Sequence, residues 1–376
     1  MRVTELVLED FRSYERLRLD LAPGVTAFVG PNGKGKTNLL EAIHLLARGD
    51  SPRAREDPEI VRWGATLARA SGTVERADGG SRVEILLFAA AAGERRRPRR
   101  YLLNGAGKRS EDALGEIVVV SFFPEDVELL TAAPAARRRY LDAMIGQVDR
   151  AHRADTREYA RVLEQRNALL RGAAARRDSD AGDDVMPVTE TAFWDAALCR
   201  LAAQISIRRE RAVHELIPGF EAAAARFSST AGTVLAYVAQ TAGATVEERE
   251  EGYRSLVREK RERELWQGTT LVGPHREDLG VTGAGRPLAA FASRGEQRSA
   301  VLALKLAEAN WLRERTGDPP IFLLDDVLSE LDPARREALV DALPADAQTL
   351  LTAALPAGLP PSIAAGATIV EIPFSP

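Results

Sequence analysis

The segment that most constrains this chain is GPNGKGKT, residues 30–37, because it lies between an apolar run, VTAFV, and a helical pattern, KTNLLEAIHLLA. Gly30, Gly35, Lys36 and Thr37 satisfy G-x-x-x-x-G-K-[ST]. Glycines let backbone N–H groups converge on phosphate oxygens, and the N-terminus of the following helix adds partial positive charge. Strand, loop and helix in this order predict a nucleotide site within an α/β fold.

The predicted roles follow from the chemistry of each side chain. Lys36 would bridge the β- and γ-phosphates of ATP, and the Thr37 hydroxyl would be a ligand of Mg²⁺. The plainer alternative, a glycine-rich turn between strand and helix, explains neither residue. The predicted ATP-binding residues of this loop are Gly30, Pro31, Asn32, Gly33, Lys34, Gly35, Lys36 and Thr37.

A second chemical segment, PPIFLLDDVLSELD at residues 319–332, reads as a buried strand that ends in two aspartates. Carboxylates at the end of a strand beside a phosphate loop are suited to hold Mg²⁺ and water. We predict that Asp325 holds the metal through a coordinated water. Asp326 would be the catalytic residue that orients or deprotonates the attacking water. The alternative is a strand that ends in an Asp-rich turn.

The composition excludes several classes of protein. With 45% hydrophobic and 28% charged residues the chain is an ordinary soluble protein. Its net charge of −4 argues against a basic nucleic-acid coat, although it permits a local basic surface. The single cysteine, Cys199, rules out an intramolecular disulfide and suits a reducing cytosol. No apolar run is long enough to span a bilayer, so we expect a cytoplasmic protein without a membrane partner.

The texture of the sequence divides the chain into three parts. Residues 1–135 read as strands and turns around one helix, and strand-like sequence resumes over residues 267–376. Residues 136–266 are rich in Arg, Glu and Ala with helical periodicity, interrupted by a polar stretch at 173–187 that we interpret as a loop between two long helices. We therefore predict an α/β domain made of both chain ends, with an inserted helical domain.

The segment SRGEQ fits a helix-capping box, with Ser293 as N-cap and Glu296 three residues later. That structural reading is complete by itself. Yet SRGEQ precedes the strand that ends in Asp325 and Asp326, and SELD follows that strand. Together with GPNGKGKT, these segments resemble the Walker A, signature, Walker B and D-loop motifs of ABC-type ATPases. The resemblance implies an ABC-type P-loop ATPase head. It also implies a homodimer that forms on ATP, in which the signature of one copy contacts the γ-phosphate bound by the other.

The signature residues implied by this resemblance are Ser293, Arg294, Gly295, Glu296 and Gln297, and the D-loop residues are Ser329 and Asp332. Two features depart from the ABC pattern. Asp326 stands where most members have Glu, which fits slow turnover. Residues 348–356, QTLLTAALP, occupy the place of the switch histidine without containing one.

Nearly the whole chain is similar to the RecF family of bacterial recombination-repair ATPases. The matching stretches include LEDFRSY, DPEIVRWGA, FFPEDVELL, RRRYLDAMIGQVD, QRNALLR and GPHREDL. The resemblance implies an ATP-bound dimer that recognises single-stranded gaps and duplex junctions in DNA, helps RecA loading with RecO and RecR, and is released by slow, DNA-stimulated ATP hydrolysis. It also implies that Arg12, in DFRS, lies near the nucleotide.

Two basic runs are candidates for DNA contact, because Arg clusters engage phosphates. The run ERRRPRR contains Arg95, Arg96, Arg97, Arg99 and Arg100, and the alternative is a solvated turn. Arg137 and Arg138 begin the insertion, where they could contact DNA or pair with acids such as Asp142.

Three other functions compete. An SMC-like or nuclease-associated ATPase predicts a long coiled coil, which the insertion lacks. A transporter's nucleotide-binding subunit predicts a Gln-containing coupling loop, where this chain has SFFPEDVELL. A metabolic kinase leaves SRGEQ and SELD unexplained. DNA-stimulated ATPase activity separates the leading prediction from the last two.

Overall fold

The structure, a computed structural model, describes residues 1–77, 79–89, 98–178, 188–227 and 232–372. It forms two compact units. Unit 1 comprises Met1–Leu130, Pro218–Thr233 and Leu288–Pro376, and unit 2 comprises Thr131–Ile217 and Val234–Pro287.

The elements follow one another in this order: β1 (Arg2–Phe11), β2 (Tyr14–Asp20), β3 (Val25–Val29), α1 (Lys36–Arg48), β4 (Leu67–Arg76), β5 (Gly79–Phe88), β6 (Arg100–Leu103), β7 (Ala106–Lys108), α2 (Ser110–Ala113), β8 (Val119–Phe122), α3 (Pro134–Gly146), α4 (Arg150–Asp178), α5 (Val188–Phe227), β9 (Val234–Val238), α6 (Val246–Gln267), β10 (Asp278–Gly283), β11 (Arg286–Pro287), α7 (Leu288–Phe291), α8 (Arg294–Thr316), β12 (Ile321–Leu324), α9 (Val327–Glu330), α10 (Pro333–Ala342), β13 (Thr349–Ala353), α11 (Pro361–Ala364) and β14 (Thr368–Glu371). Short 3₁₀ turns occupy Asp57–Glu59, Pro124–Leu129, Pro274–Arg276 and Pro356–Gly358.

Unit 1 is built on two sheets around one helix. An antiparallel sheet has the order β2-β1-β4-β5-β6-β7, and a parallel sheet has the order β14-β3-β13-β12-β8. Helix α1 contacts β4 of the first sheet and β8, β12 and β13 of the second. It buries Leu39, Ile43 and Leu46 in the core that the two sheets share. Burial on several sides accounts for its apolar character and fixes the loop at its N-terminus.

The strand and helix predicted around GPNGKGKT are confirmed as β3 and α1, and the strand before the aspartates is confirmed as β12. Parallel strands buried on both faces read as short continuous apolar runs, which is the pattern of VTAFV and IFLL. The carboxyl ends of β3, β12 and β13 lie at one edge of the sheet, because the three strands are parallel neighbours.

Unit 2 combines α3, α4, α6 and the first thirty residues of α5 with the small sheet β11-β10-β9. The loop predicted at 173–187 is wrong in its first part, because α4 continues to Asp178 through Ala and Arg residues that favour helix. The rest of that stretch lies outside the described residues. Strand β9 was not identified from the sequence.

The predicted domain boundaries, 1–135, 136–266 and 267–376, remain a prediction, and the compact units are drawn differently. Residues 267–287 belong to unit 2, since β10 pairs with β9. Residues 218–233 belong to unit 1, where Gly219 lies against Ala307 of α8. Within the described part of the chain, no helix has the length and apolarity needed to cross a membrane.

Candidate functional site: a nucleotide cleft in unit 1

The loop between β3 and α1 folds tightly because its glycines adopt conformations that other residues avoid. Gly33 and Gly35 have φ of 80° and 94°. A Cβ at Gly35 would lie 2.8 Å from Ser13 Oγ and 2.9 Å from the Tyr14 hydroxyl. Tyr14 also donates a hydrogen bond to the Gly35 carbonyl at 3.2 Å. The strand hairpin β1–β2 therefore supports the loop from outside.

The Lys36 ammonium points back into this loop. It donates hydrogen bonds to the carbonyls of Gly30 at 2.6 Å and Pro31 at 2.9 Å. Burial lowers the pKa of Lys36, and the nearby Asp326 and Asp325 carboxylates oppose that shift. A cation held by loop carbonyls and flanked by acids is placed to meet phosphate oxygens without a large rearrangement.

The structure brings the predicted metal ligands together. The hydroxyls of Thr37 and Thr352 each donate to Asp325 Oδ1 at 2.9 Å. Burial raises the pKa of Asp325, and these two hydrogen bonds oppose the rise. Hydroxyl and carboxylate oxygens at this spacing fit the ligand preference of Mg²⁺. Asp325 itself is fixed by its N–H, which donates to Phe122 of β8.

Asp326 follows with an unusual backbone. Its φ is 52°, in the left-handed region, and its N–H donates to Thr352 Oγ1 at 2.9 Å. Its carboxylate Oδ1 accepts a hydrogen bond from Ser329 at 2.7 Å. The turn after β12 thus exposes the Asp326 side chain to the cleft, whereas Asp325 stays buried.

These groups surround a cleft of about 340 Å³. Its lining comprises Asn32, Gly33, Gly35, Lys36, Thr37, Asn38, Arg53, Pro124, Asp325, Asp326 and Thr352. Four of these residues, Asn38, Arg53, Pro124 and Thr352, were missed from the sequence. Pro124 lies in the FFPED stretch that carries the family resemblance, and Thr352 lies in QTLLTAALP, at the place of the switch histidine in the ABC pattern. Arg53 carries no sequence signal.

Arg12, which was predicted to lie near the nucleotide, forms an ion pair with Glu41 of α1. Its guanidinium donates to both carboxylate oxygens of Glu41, at 2.9 and 2.5 Å, and to the Glu59 carbonyl at 2.6 Å. Glu41 belongs to α1 and is buried. Arg12 is absent from the described lining of the cleft, so its contact with nucleotide remains a prediction.

The predicted capping box is confirmed at the start of α8. The Glu296 N–H donates to Ser293 Oγ at 3.3 Å, and the Ser293 N–H donates to the Glu296 carboxylate at 2.7 Å. Gln297 turns back to donate to the Ala292 carbonyl at 3.2 Å. Ser293 and Arg294 are exposed. The role of these residues toward a second copy remains a prediction.

One arginine joins the signature turn to the D-loop. Arg335 of α10 donates to Asp332 Oδ2 at 2.6 Å and to Ser299 Oγ of α8 at 3.0 Å. A Cβ at Gly295 would lie 3.3 Å from an Arg335 nitrogen, so a larger residue would press on this link. Asp332 also caps α10. The two segments are therefore held together within unit 1.

Two described arginines of the first basic run have partners in unit 1. Arg99 donates to Asp57 at 2.7 Å, and the Arg100 guanidinium lies 5.8 Å from the centre of the Phe88 ring. Arg95, Arg96 and Arg97 lie outside the described residues. DNA contact by this run remains a prediction.

The arginines that begin the insertion are engaged within unit 2. Arg137 donates to both oxygens of Asp278, at 2.8 and 2.6 Å, and Arg138 donates to the Glu277 carbonyl at 2.8 Å. Burial lowers the pKa of Arg138, and the neighbouring Arg209 adds to that effect. Asp142, the acid named as a possible partner, instead pairs with Arg209 at 2.7 Å. DNA contact by Arg137 and Arg138 remains a prediction.

The fold and the cleft define an ABC-type ATPase head, and the family model described as RecF/RecN/SMC N terminal domain matches residues 2–355. The DNA replication and repair protein RecF of Roseiflexus castenholzii is 41% identical over 372 residues, which are 94% of this chain and 93% of that protein. The RecF protein of Chloroflexus aurantiacus is 40% identical over 377 residues, with the same coverage. This chain belongs to the RecF family.

Solved structures agree with that assignment. A structure described as the recombination mediator protein RecF-ATP in the RecFOR pathway superposes with a TM-score of 0.83 at 28% identity, covering 94% of this chain and 92% of that one. A structure described as the SmcHead bound to the C-winged helix domain of ScpA gives a TM-score of 0.50 at 15% identity, over 94% and 89% of the two chains, which supports the fold alone.

Proposed function

We propose that this protein is an ATPase that acts as a switch in DNA repair. As an ATP-dependent homodimer it binds DNA at single-stranded gaps and duplex junctions, and slow hydrolysis releases it. The observation that carries the proposal is the convergence of Lys36, Thr37, Asp325 and Asp326, which come from both ends of the chain, on one cleft.

The contacts in the cleft indicate how the chain handles ATP. The Lys36 ammonium exchanges the carbonyls of Gly30 and Pro31 for phosphate oxygens, while the loop amides bind the remaining charge. Thr37 and Asp325 are the residues that would hold Mg²⁺, which when bound neutralises charge on the phosphates. Asp326 orients the attacking water. Its side chain is shorter than Glu, so it holds that water less well, in keeping with weak, DNA-stimulated hydrolysis.

The exposed capping box is the surface by which one copy would contact ATP bound to a second copy. Ser293 and Gly295 lie at the N-terminus of α8, where backbone N–H groups and the helix dipole favour an anion. In an ATP-bound dimer this turn contacts the γ-phosphate held by the other copy. The D-loop is linked to the turn through Arg335, so it lies at the same interface. The relatives named DNA replication and repair protein RecF, and the structure named for the RecFOR pathway, support a role in DNA repair. Within that role we propose that the protein acts in the cytoplasm with RecO and RecR in RecA loading.

Sedimentation velocity with a fluorescent gapped duplex tests the switch, using the Asp326→Asn variant to slow hydrolysis. We expect a DNA-bound dimer with ATP and mostly free monomer with ADP. Adding Ser293→Ala should abolish the dimer while ATP affinity persists.

Thr245→Ala is the matched control, because Thr245 forms the same kind of capping box with Glu248 in unit 2. That variant should still dimerise on ATP. A monomer that bound DNA equally well with either nucleotide would overturn the switch.

A further inference from the structure

We infer that Thr352 is a positioning residue for hydrolysis, which holds the catalytic Asp326 through its backbone amide and leaves ATP binding to other groups. The inference rests on the proposed function, since it concerns how the same cleft hydrolyses ATP. Its ground is the pair of hydrogen bonds that the Thr352 hydroxyl makes to the two adjacent aspartates.

The register of the parallel sheet places this residue. Leu324 of β12 pairs with Leu351 of β13, so the residues that follow, Asp325 and Thr352, emerge side by side at the edge where the cleft lies. Thr352 is only 4% exposed, and it is held on its other side by pairing with Phe28 of β3. Its hydroxyl is therefore fixed by the sheet rather than by a loop.

The hydrogen-bond capacity of the hydroxyl decides its role. A threonine hydroxyl has one proton to donate, and Thr352 donates it to Asp325 Oδ1 at 2.9 Å. It accepts the Asp326 N–H at 2.9 Å with a lone pair. In this arrangement no proton is left for a phosphate oxygen. The hydroxyl can orient the two acids but cannot act as a donor to the γ-phosphate.

The bond to Asp326 matters because that residue has a strained backbone. Left-handed φ is uncommon for residues other than glycine, and it persists where surrounding contacts fix it. An N–H bonded to Thr352 holds the peptide that sets the direction of the Asp326 side chain. Displacing a catalytic group by about 1 Å can cost on the order of 100-fold in rate, so loss of this bond should act on turnover.

The experiment compares Thr352→Val, which removes both hydrogen bonds at nearly constant shape, with Thr352→Ser, which retains them. Thr349→Val is the matched control, since Thr349 is buried in the same strand but does not line the described cleft. Three quantities are measured for each full-length variant: the affinity for a non-hydrolysable ATP analogue, kcat for ATP, and the lifetime of the ATP-bound dimer.

For Thr352→Val we expect kcat to fall by about 10- to 100-fold and the dimer to persist longer by a similar factor, with affinity changed less than about threefold. Thr352→Ser and Thr349→Val should stay within about threefold of wild type in all three quantities. If Thr352→Val does not fold, Thr352→Ala removes the same hydroxyl and should show the same separation of kcat from affinity.

A loss of affinity with unchanged kcat would instead make the hydroxyl a nucleotide ligand and overturn the inference. Unchanged kcat in a folded valine or alanine variant would overturn it as well. Both differ from failure of the proposed function, in which wild-type protein itself would neither hydrolyse ATP nor dimerise on it.

Discussion

Two clusters of charged side chains, one in each unit, are held in opposite ways. In the cleft of unit 1, Lys36 donates to carbonyls and Asp325 accepts from two hydroxyls. In unit 2, the buried Arg166 meets opposite charges: it bonds to Asp195 at 2.7 Å and to Glu264 at 2.6 Å. Neutral partners can be exchanged for a ligand at modest cost, whereas buried ion pairs cannot.

That contrast separates two uses of buried charge. We give the name inserted network to four charged groups of unit 2 that pair with opposite charges, Arg166, Arg209, Asp142 and Glu264. In it Arg209 bonds to both oxygens of Asp142, at 2.8 and 2.7 Å. The inserted network should serve stability, and the cleft should serve binding. Each of the following predictions can break this division.

The largest expected effect is on the stability of unit 2. Arg166→Met leaves Glu264 buried without its cation, and we expect the free energy of unfolding to fall by about 3–5 kcal/mol. Urea denaturation followed by circular dichroism measures it. Arg211→Met is the matched control, because the exposed Arg211–Glu215 pair should contribute at most about 0.5 kcal/mol. Lost ATP affinity without lost stability would contradict the division.

The next effect concerns the cleft, where we expect ATP affinity to fall while stability is retained. Lys36→Met should weaken ATP binding by about 100-fold, because charge-assisted hydrogen bonds contribute roughly 1.5–3 kcal/mol each and Lys36 can make several to the phosphates. Stability should change little. Isothermal titration calorimetry measures the affinity, with the exposed Lys108 of β7 changed to Met as control. Equal losses in both lysine variants would point to general electrostatics.

The smallest expected effect is a pH dependence of stability that arises from His275 in unit 2. His275 Nε2 donates to the Thr270 carbonyl at 3.2 Å, so Nδ1 accepts from the Tyr159 hydroxyl at 2.6 Å. Burial lowers the pKa of His275 to about 4, below its ordinary 6.5. The unfolded chain therefore takes up this proton at higher pH than the folded chain does. The contribution of the neutral His275 to the free energy of unfolding is complete above pH 6.5 and is lost as the pH drops toward 4.

Between pH 7 and 5 this group should account for about 1–2 kcal/mol of lost stability. Urea midpoints measured across that range in wild type and His275→Gln provide the test, and the variant should lack this part of the slope. His214→Gln, at an exposed position of α5, should keep the wild-type slope. An unchanged slope in His275→Gln would show that the histidine is not held neutral.

The sequence could predict the parts of the molecule that are built from contiguous residues, and it could not predict contacts between distant residues. The residues of β3, the phosphate loop and α1 are contiguous, so the motif and its strand and helix context could predict one site for Lys36 and Thr37, and both line the cleft. The strand before Asp325 was readable for the same reason. Thr352 could not be found that way, because its partners lie 26 and 27 residues away and depend on the register of β12 and β13.

The inserted network was equally hidden. Arg166 bonds to Thr270 across 104 positions and to Glu264 across 98, and local periodicity carries no information about such pairs. Strand β9 was missed because it is paired on one side with β10 and has exposed Val234 and Val238, which do not read as a buried strand. Arg137 was assigned two possible roles, and its pairing with Asp278 spans 141 positions.

The position of β3 in its sheet has a consequence for synthesis. Its neighbours are β13 and β14, and the Ile372 N–H donates to the Val29 carbonyl at 2.8 Å. As the chain leaves the ribosome, the phosphate loop emerges more than three hundred residues before the strands that flank it. Closing such distant pairings is slow. The nascent N-terminal half must therefore wait with an apolar strand unpaired, exposed to aggregation or to chaperones, until the last strands arrive.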